Sequence, residues 1–154
     1  MSEPEIGKVK AIAVRTAPNG PMREISEATS VVDGGLDGDL TVNPDRGITF
    51  LSNEQWAMTM KELGADLPWY TRRANVLVEC ASLGHLIGKT ICVGSVHVDI
   101  KDETDPCRLM DQQHSGLREA LVPEMRGGVL GRVVQGGSFK IGDMVTVVEV
   151  MTNA

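Results

Sequence analysis

The sequence predicts a single, mostly β domain whose strands form a barrel-like sheet, with two or three short helices. The chain has 154 residues, of which 42% are hydrophobic, and this length supports one buried core but is short for two. Only 3% of the residues are aromatic and 17 are glycine, which is typical of aliphatic strands joined by many turns. About seven to nine strand patterns against two or three helical ones favour a barrel or tightly curled sheet over alternating β-α units. We therefore treat residues 1–154 as one domain.

The strands are predicted from short segments that are apolar or alternate between apolar and polar residues. These segments cover residues 8–14, 22–32, 47–51, 76–78, 90–93, 96–100, 129–134 and 144–150. A polar interruption divides the second of them. Gly94-Ser95 should join the fifth and sixth as a tight hairpin, because a two-residue connection that begins with glycine suits that turn.

The helices are predicted from capping and stop signals. Ser52, with Gln55 three residues later, forms a capping box, and apolar residues then recur at helical spacing up to a natural stop at Gly64. A second, shorter helix should lie within residues 115–121. Residues 67–70 should form an extended connection.

A glycine-rich segment follows the second strand pattern. Residues 33–39 contain three glycines and three aspartates. Glycines allow close approach of a ligand to the backbone, but the aspartates would repel a phosphate, and the spacing matches no phosphate-binding fingerprint. A structural turn is therefore the favoured interpretation of this segment.

Cys107 is the first candidate functional residue. It follows Asp105-Pro106, so it should lie at the end of a strand, in a rigid and extended approach set by the proline. The neighbouring Arg108 would favour the thiolate, the form that attacks electrophiles and binds soft metals, whereas Asp105 would oppose it. An ordinary buried cysteine is the alternative, and the residues alone leave both open.

A second candidate group precedes the strand at residues 76–78. Arg72, Arg73 and Asn75 offer planar donor forks and an amide, which suit a phosphate or the polar edge of a ring. Taken alone, however, these residues favour the interpretation of a solvated loop whose arginines pair with the many carboxylates of the chain.

Composition excludes several classes of function. The formal net charge of −6 argues against a nucleic-acid or anionic-membrane surface, and no apolar run approaches the ~20 residues of a membrane-spanning helix. The three cysteines at positions 80, 92 and 107 lack zinc-binding or C-x-x-C spacing. Their odd number, in a sequence without a secretory signal, favours a reducing compartment, by default the cytoplasm. Cys80 and Cys92 lie in apolar strand patterns and should be inert.

The motifs resemble those of the MOSC family, named for the C-terminal domain of molybdenum cofactor sulfurases. The match covers roughly residues 31–148, in the order of the family's motifs. It consists of Gly35-Leu36-Asp37-Gly38-Asp39, Arg73-Ala74-Asn75, Pro106-Cys107, Gly116-Leu117, Gly127-Gly128, Arg132-Val133 and Gly142-Asp143-Met144-Val145.

The resemblance implies a mostly β fold like the MOSC and pyruvate-kinase barrels, and it gives Cys107 a role. The cysteine of the family aligns with Cys107, which is thereby implied as the catalytic group or as a metal ligand. In some members it carries sulfur as a persulfide from a pyridoxal-phosphate cysteine desulfurase. In others it ligates molybdenum in a pterin cofactor, and those proteins reduce N-hydroxylated compounds.

The resemblance also implies a cofactor-binding set and partners. Arg73 and Asn75 match the Arg-x-Asn element of the family's pocket, and Arg108 and Arg132 are further expected donors for the phosphate of molybdopterin. Pyridoxal phosphate is not expected on this chain itself, because such enzymes need a Schiff-base lysine in a large domain. Partners would be a cysteine desulfurase, a molybdoenzyme or an electron-transfer protein.

Two departures from the family limit what it implies. Asp39 is followed by Leu40 where many members have basic or histidine residues, and the extra domains of the reductases are absent from this sequence. We expect a sulfur carrier or molybdopterin-binding protein. A molybdenum-dependent reductase and a non-enzymatic ligand-binding or interaction module are the alternatives.

Overall fold

A computed structural model describes residues 5–18, 20–41 and 43–148. Within these ranges the chain forms ten strands and three α-helices. The strands are β1 Glu5–Arg15, β2 Met22–Ile25, β3 Glu27–Ser30, β4 Ile48–Ser52, β5 Val76–Val78, β6 Thr90–Val93, β7 Val96–Glu103, β8 Val129–Gln135, β9 Gly137–Lys140 and β10 Met144–Val147. The α-helices are α1 Asn53–Leu63, α2 Arg108–Gln113 and α3 Leu117–Ala120, and short 3₁₀ helices cover Pro44–Arg46, Trp69–Arg72, Gly84–Leu86 and Pro123–Met125.

Seven of the strands close into a barrel, which confirms the predicted fold class. Their order is β10-β6-β7-β8-β4-β5-β1, and β1 pairs back to β10. The 11-residue β1 makes this closure, because its start pairs with β10, its middle with β5 and its end with β2. β4 and β5 run parallel, whereas the other barrel pairs are antiparallel. Closure leaves the barrel without open edges.

The apolar residues divide between the barrel interior and one outer face. Aliphatic side chains fill the interior, among them Ile12, Ile48 and Val98. A second cluster joins Leu51 and Leu77, on the outer face of β4 and β5, to residues of all three α-helices. Every residue of β4 and β5 is buried, because both of their faces are covered. The helices are thereby held against these two strands.

The predicted start and end of α1 are confirmed. The Ser52 hydroxyl accepts a hydrogen bond from the Gln55 backbone N–H at 3.2 Å, and Gly64 ends the helix in the left-handed conformation, with φ of 61°. The Gly94-Ser95 hairpin between β6 and β7 is also confirmed, with Val93 facing Val96.

Other element predictions need correction. Residues 22–32 form two strands, and β3 pairs with β9 in a separate sheet. Residues 67–70 are not fully extended, because a 3₁₀ helix begins at Trp69. The helix within 115–121 is reduced to α3, and α2 precedes it. Residues 149 and 150 of the predicted last strand lie outside the described residues.

The glycine-rich segment 33–39 is a turn fixed by the Asp39 carboxylate. Oδ1 of Asp39 accepts hydrogen bonds from the Arg15 backbone N–H at 2.7 Å and from Asn75 Nδ2 at 3.2 Å. Oδ2 accepts from Arg15 Nη2 at 2.9 Å and from Thr41 Oγ1 at 2.6 Å. Burial raises the pKa of Asp39, but the bonds from Arg15 and Thr41 outweigh it and hold that pKa below 3.8.

We predict that Asp39→Asn lowers the free energy of unfolding at neutral pH by about 2 kcal/mol, because it removes charge-assisted bonds and leaves Arg15 without its partner. The folded-state pKa of Asp39 lies below the unfolded value. Its contribution is therefore present above the unfolded pKa and is lost as pH falls through the folded pKa. Urea unfolding from roughly pH 6 to pH 2 should show the two proteins converging in stability.

Asp37→Asn is the matched control, since Asp37 is exposed in the same segment and its removal should cost less than about 0.5 kcal/mol. A gap between wild type and Asp39→Asn that stays constant down to the lowest pH would contradict this assignment.

Candidate functional site

Cys107 lies on the surface, where the connection from β7 enters α2. Pro106 precedes it, and it is the first residue before the helix, with an extended backbone and no capping bond from its thiol. Its side chain is exposed. Exposure removes the alternative that Cys107 is core filling, and it leaves the thiol accessible to reactants.

Cys107 lines a cavity of about 200 Å³ together with four arginines. The cavity lies between the 3₁₀ helix Trp69–Arg72, the end of β7 and the start of α2. Its lining consists of Arg15, Arg46, Thr49, Arg72, Arg73, Ala74, Thr104, Asp105, Cys107, Leu109 and Met110. Four guanidinium groups thus face one carboxylate and one thiol in a protein whose net charge is −6. This local excess of positive charge favours an anionic ligand.

Arg72 is the buried cation of this site. Only 6% of it is exposed, and it donates to the carbonyl oxygens of Thr104, from Nη2 at 2.8 Å, and of Gly127, from Nε at 3.1 Å. No described carboxylate forms an ion pair with it. Burial lowers the pKa of Arg72 to about 10, and the charge of Cys107 opposes that shift. Arg72 is therefore charged at neutral pH and attracts the Cys107 thiolate.

Arg73 is another arginine of the cavity lining. It adopts the left-handed conformation, with φ of 66°, which is uncommon for a residue with a side chain. Its guanidinium donates to the carbonyl oxygens of Gly20 and Ala17, the latter at 3.2 Å. Burial, and then the nearby charge of Arg15, lower the pKa of Arg73. Arg73 also lines a neighbouring cavity of about 400 Å³ that includes Tyr70 and Gln113.

The other two arginines differ in how they are held. Arg15 forms an ion pair with Asp39 at 2.9 Å, so its charge is largely compensated. Arg46 ends the 3₁₀ helix Pro44–Arg46 and is exposed, and no described residue bonds its side chain. Its charge is close enough to Arg72 to repel it. Arg46 is thus an available cation at the cavity.

The close packing around Gly127-Gly128 requires glycine at both positions. A side chain at Gly127 would overlap the Thr104 carbonyl oxygen and would approach Arg72 Nη2 to 3.1 Å. Gly128 has φ of 95° and packs against Phe50 of β4. Only glycine allows the 127–128 backbone to lie against both the buried arginine and the barrel wall.

The structure brings together two of the predicted site residues and separates three. Cys107 and Arg73 line one cavity. Arg108 is exposed and outside the lining, although it adjoins Cys107 in sequence. Arg132 also lies outside it and binds Asp45, with 2.9 Å between Arg132 Nε and Asp45 Oδ1.

Asn75 is buried behind the cavity, outside its lining. Its amide oxygen accepts from the Thr49 backbone N–H at 3.1 Å, and its amide nitrogen donates to the Ala13 carbonyl at 3.1 Å. It therefore connects β1, β4 and the entry to β5. Its position supports the wall from which Arg73 projects, and it offers no free amide to a ligand.

The sequence patterns did not indicate Arg15, Arg46 or Thr104 as site residues, and the burial of Arg72 overturns the solvated-loop interpretation for that residue. Arg72 was detectable as half of an arginine pair before a strand. Arg15 and Arg46 come from distant segments and carry no local signal. Thr104 lies directly after the end of β7 and three residues before Cys107, and no sequence pattern marks it.

The other thiols lie elsewhere. Cys80 is buried and lines a different cavity with His85, and burial raises its pKa to about 11. Cys92 is on β6. No group of three or more His, Cys, Asp and Glu side chains arranged to hold a metal ion occurs among the described residues. No described helix is long and apolar enough to cross a membrane.

Comparison with known proteins places this barrel in a family. A family model described as the MOSC domain matches residues 37–146, a span that includes Arg46, Arg72, Arg73 and Cys107. The chain belongs to the MOSC domain family. The family is associated with the molybdenum cofactor. No curated protein matched the sequence of this MOSC domain.

Solved structures agree with this fold. The YuaD protein from Bacillus subtilis has a TM-score of 0.79 and 18% identity, over 92% of this MOSC domain and 94% of that chain. YiiM from Geobacillus stearothermophilus has a TM-score of 0.74 and 17% identity, over 96% and 77%. YiiM from Escherichia coli has a TM-score of 0.71 and 14% identity, over 96% and 72%. At these identities the similarity shows the fold alone.

We predict that iodoacetamide at neutral pH alkylates Cys107 much faster than Cys80, because Cys107 is exposed and the buried Cys80 thiol has a raised pKa. Peptide mass spectrometry at timed quenches measures both sites in one sample. Equal labelling rates in the folded protein would contradict the assignment of Cys107 as the accessible thiol.

We also predict that Cys107 reacts preferentially with an anionic reagent. The ratio of its alkylation rates with iodoacetate and iodoacetamide should fall by up to about tenfold in Arg46→Met, because the variant removes an available cation from the cavity. Arg23→Met, which removes an exposed arginine outside the lining, is the control. An unchanged ratio in Arg46→Met would contradict the assignment of Arg46 as a cation that attracts anions to the thiol.

Proposed function

We propose that this MOSC domain is a sulfur carrier in which Cys107 accepts sulfur as a persulfide. The observation that carries the proposal is the exposed Cys107 thiol on a cavity with four arginines. A thiolate attacks sulfane sulfur by the exchange chemistry that governs disulfides. The arginines hold an anionic donor or acceptor beside it.

The electrostatics of the cavity support storage of sulfur on Cys107. A persulfide is anionic, as a thiolate is, and the buried Arg72 attracts negative charge at this position. Among the described residues, Cys107 is the one cysteine in the cavity lining. No neighbouring thiol is therefore placed to displace the sulfur as a disulfide forms, and the persulfide persists until an acceptor arrives.

Ligation of molybdenum by Cys107 is a second candidate function, and the donors fit it. Thiolate is a soft ligand of the kind that such a metal takes, and Arg46 and Arg72 suit the phosphate of molybdopterin. The neighbouring cavity with Tyr70, which shares Arg73, favours this candidate by extending the site for a larger ligand. When bound, the cofactor would supply two-electron redox chemistry, and this chain's residues would bind and orient it.

Each candidate function implies different partner proteins. A sulfur carrier requires a donor such as a pyridoxal-phosphate cysteine desulfurase and an acceptor such as a molybdoenzyme. Reduction of N-hydroxylated compounds requires the bound cofactor and an electron-transfer partner. The cytoplasm is the proposed compartment, because a reducing environment keeps thiols free. If Cys107 proved unreactive, the remaining interpretation would be a non-enzymatic ligand-binding or interaction module.

We predict that native mass spectrometry of protein purified without reductant, from a host that makes molybdenum cofactor, detects added sulfur on wild type. The addition should be absent from Cys107→Ala and retained in Cys92→Ala, because Cys92 lies outside the cavity lining. A pterin-molybdenum mass that is lost in Cys107→Ala would replace the carrier by the cofactor candidate. Additions that persist in Cys107→Ala would contradict both.

A further inference from the structure

Three of the guanidinium groups in the Cys107 cavity are uncompensated. Arg15 is paired with Asp39, whereas Arg46, Arg72 and Arg73 form no ion pair with a described residue. Asp105 is the single carboxylate in the lining, and it attracts Arg72 without contacting it in an ion pair. The cavity therefore has the charge to hold a dianion next to the thiol.

Thr104 adds a hydroxyl that has no partner. It lines the cavity and is only 7% exposed, and its Oγ1 is buried without a hydrogen bond. The carbonyl of the same residue accepts from Arg72 Nη2 at 2.8 Å, so Thr104 and the guanidinium belong to one wall. A buried polar group without a partner is costly in the unliganded protein. Rotation of the Thr104 side chain toward the cavity would let a bound oxyanion accept the hydrogen bond that the hydroxyl does not give to the protein.

The size of the cavity limits the ligand. At about 200 Å³ it is smaller than the roughly 300–1,000 Å³ of pockets that enclose drug-sized ligands. A tetrahedral oxyanion fits within such a space and presents several acceptor oxygens to N–H and O–H donors. Cys107 then lies where an atom attached to that oxyanion would meet the thiol.

We propose that the cavity binds sulfane-sulfur donors that end in a sulfonate, of which thiosulfate is the simplest, and that Cys107 takes their outer sulfur. Arg46, Arg72 and the Thr104 hydroxyl bind the sulfonate oxygens. This inference rests on the proposed role of Cys107 as a sulfur carrier and names the class of its small-molecule donor.

The transfer step balances without an added oxidant or reductant. The Cys107 thiolate, whose proton has gone to solvent, attacks the outer sulfur of thiosulfate and forms a new S–S bond. The bond between the outer sulfur and the sulfonate sulfur breaks, and its electron pair leaves with sulfite. The products are the Cys107 persulfide anion and sulfite dianion, so total charge is conserved. The leaving oxyanion gains electron density, which the arginines stabilise.

The test compares two sulfur sources on the full chain. Thiosulfate and inorganic polysulfide are each added to reduced protein, and the rate of one-sulfur mass gain at Cys107 is followed by peptide mass spectrometry. Sulfite release is measured in the thiosulfate reaction. Polysulfide carries transferable sulfur but no sulfonate, so it reports whether Cys107 carries sulfur at all.

Thr104→Val is the decisive variant. It removes the hydroxyl and keeps the branched shape, and because the lost hydroxyl has no partner, the variant should be at least as stable as wild type. Its rate of loading by thiosulfate should nevertheless fall by about tenfold or more, as expected when a hydrogen bond to a charged group is lost. Its rate of loading by polysulfide, whose terminal sulfur is only a weak hydrogen-bond acceptor, should fall much less.

Arg46→Met supplies a second variant without packing consequences, because the exposed Arg46 side chain has no bonded partner among the described residues. It should also slow thiosulfate loading by about tenfold. Arg23→Met, exposed and outside the lining, should load like wild type. Thermal unfolding of every variant establishes that it is folded.

The outcomes separate this inference from the proposed function. Loading of Cys107 by polysulfide but not by thiosulfate would overturn the inference and leave the carrier role standing. Thiosulfate loading that is equal in wild type, Thr104→Val and Arg46→Met would also overturn it, because the sulfonate would then have no specific receptor. Failure of both sources to load Cys107 would overturn the carrier role itself.

Discussion

The site depends on one buried cation. Arg72 is enclosed between the 3₁₀ helix Trp69–Arg72, the end of β7 and the turn at Gly127, with backbone carbonyls as its hydrogen-bond partners. Carbonyl dipoles fix the orientation of a guanidinium without cancelling its charge, so the charge is available to the cavity. The same bonds hold the loop that carries Thr104, Asp105 and Cys107 against the barrel. Arg72 therefore both holds the loop that carries Cys107 and supplies positive charge near its thiol.

The barrel makes this arrangement possible by supporting the part of the lining that contains Arg73. Asn75 connects β1, β4 and β5, and Asp39 joins Asn75 to Arg15. Arg73 therefore lies at the cavity, whereas the amide group of Asn75 is fully used in hydrogen bonds within the protein. In this acidic protein, four arginines and a single carboxylate thus line one cavity. The cavity is therefore locally positive, whereas the net charge of the whole chain is negative.

Local patterns predicted the elements better than the site. The Ser52 cap, the Gly94-Ser95 hairpin and the barrel class follow from short-range preferences, and the resemblance selected Arg73 and Cys107, which the structure brings to one cavity. Arg46 and Thr104 could not be selected in this way, because their relation to Cys107 exists only after the barrel closes. Arg108 adjoins Cys107 in sequence and Arg132 belongs to a family motif, but neither lines the cavity. Nearness in sequence or membership of a motif therefore did not predict which side chains line it.

The most direct test of the anion site is a crystal structure of the protein soaked in selenate, whose anomalous signal locates a tetrahedral dianion without relying on turnover. The account predicts a selenate at Cys107, within hydrogen-bond distance of the Arg72 and Arg46 guanidinium groups and of Thr104 Oγ1. Selenate found only at surface lysines and arginines, with the cavity filled by ordered water, would contradict the claim that these residues form a receptor for an anion.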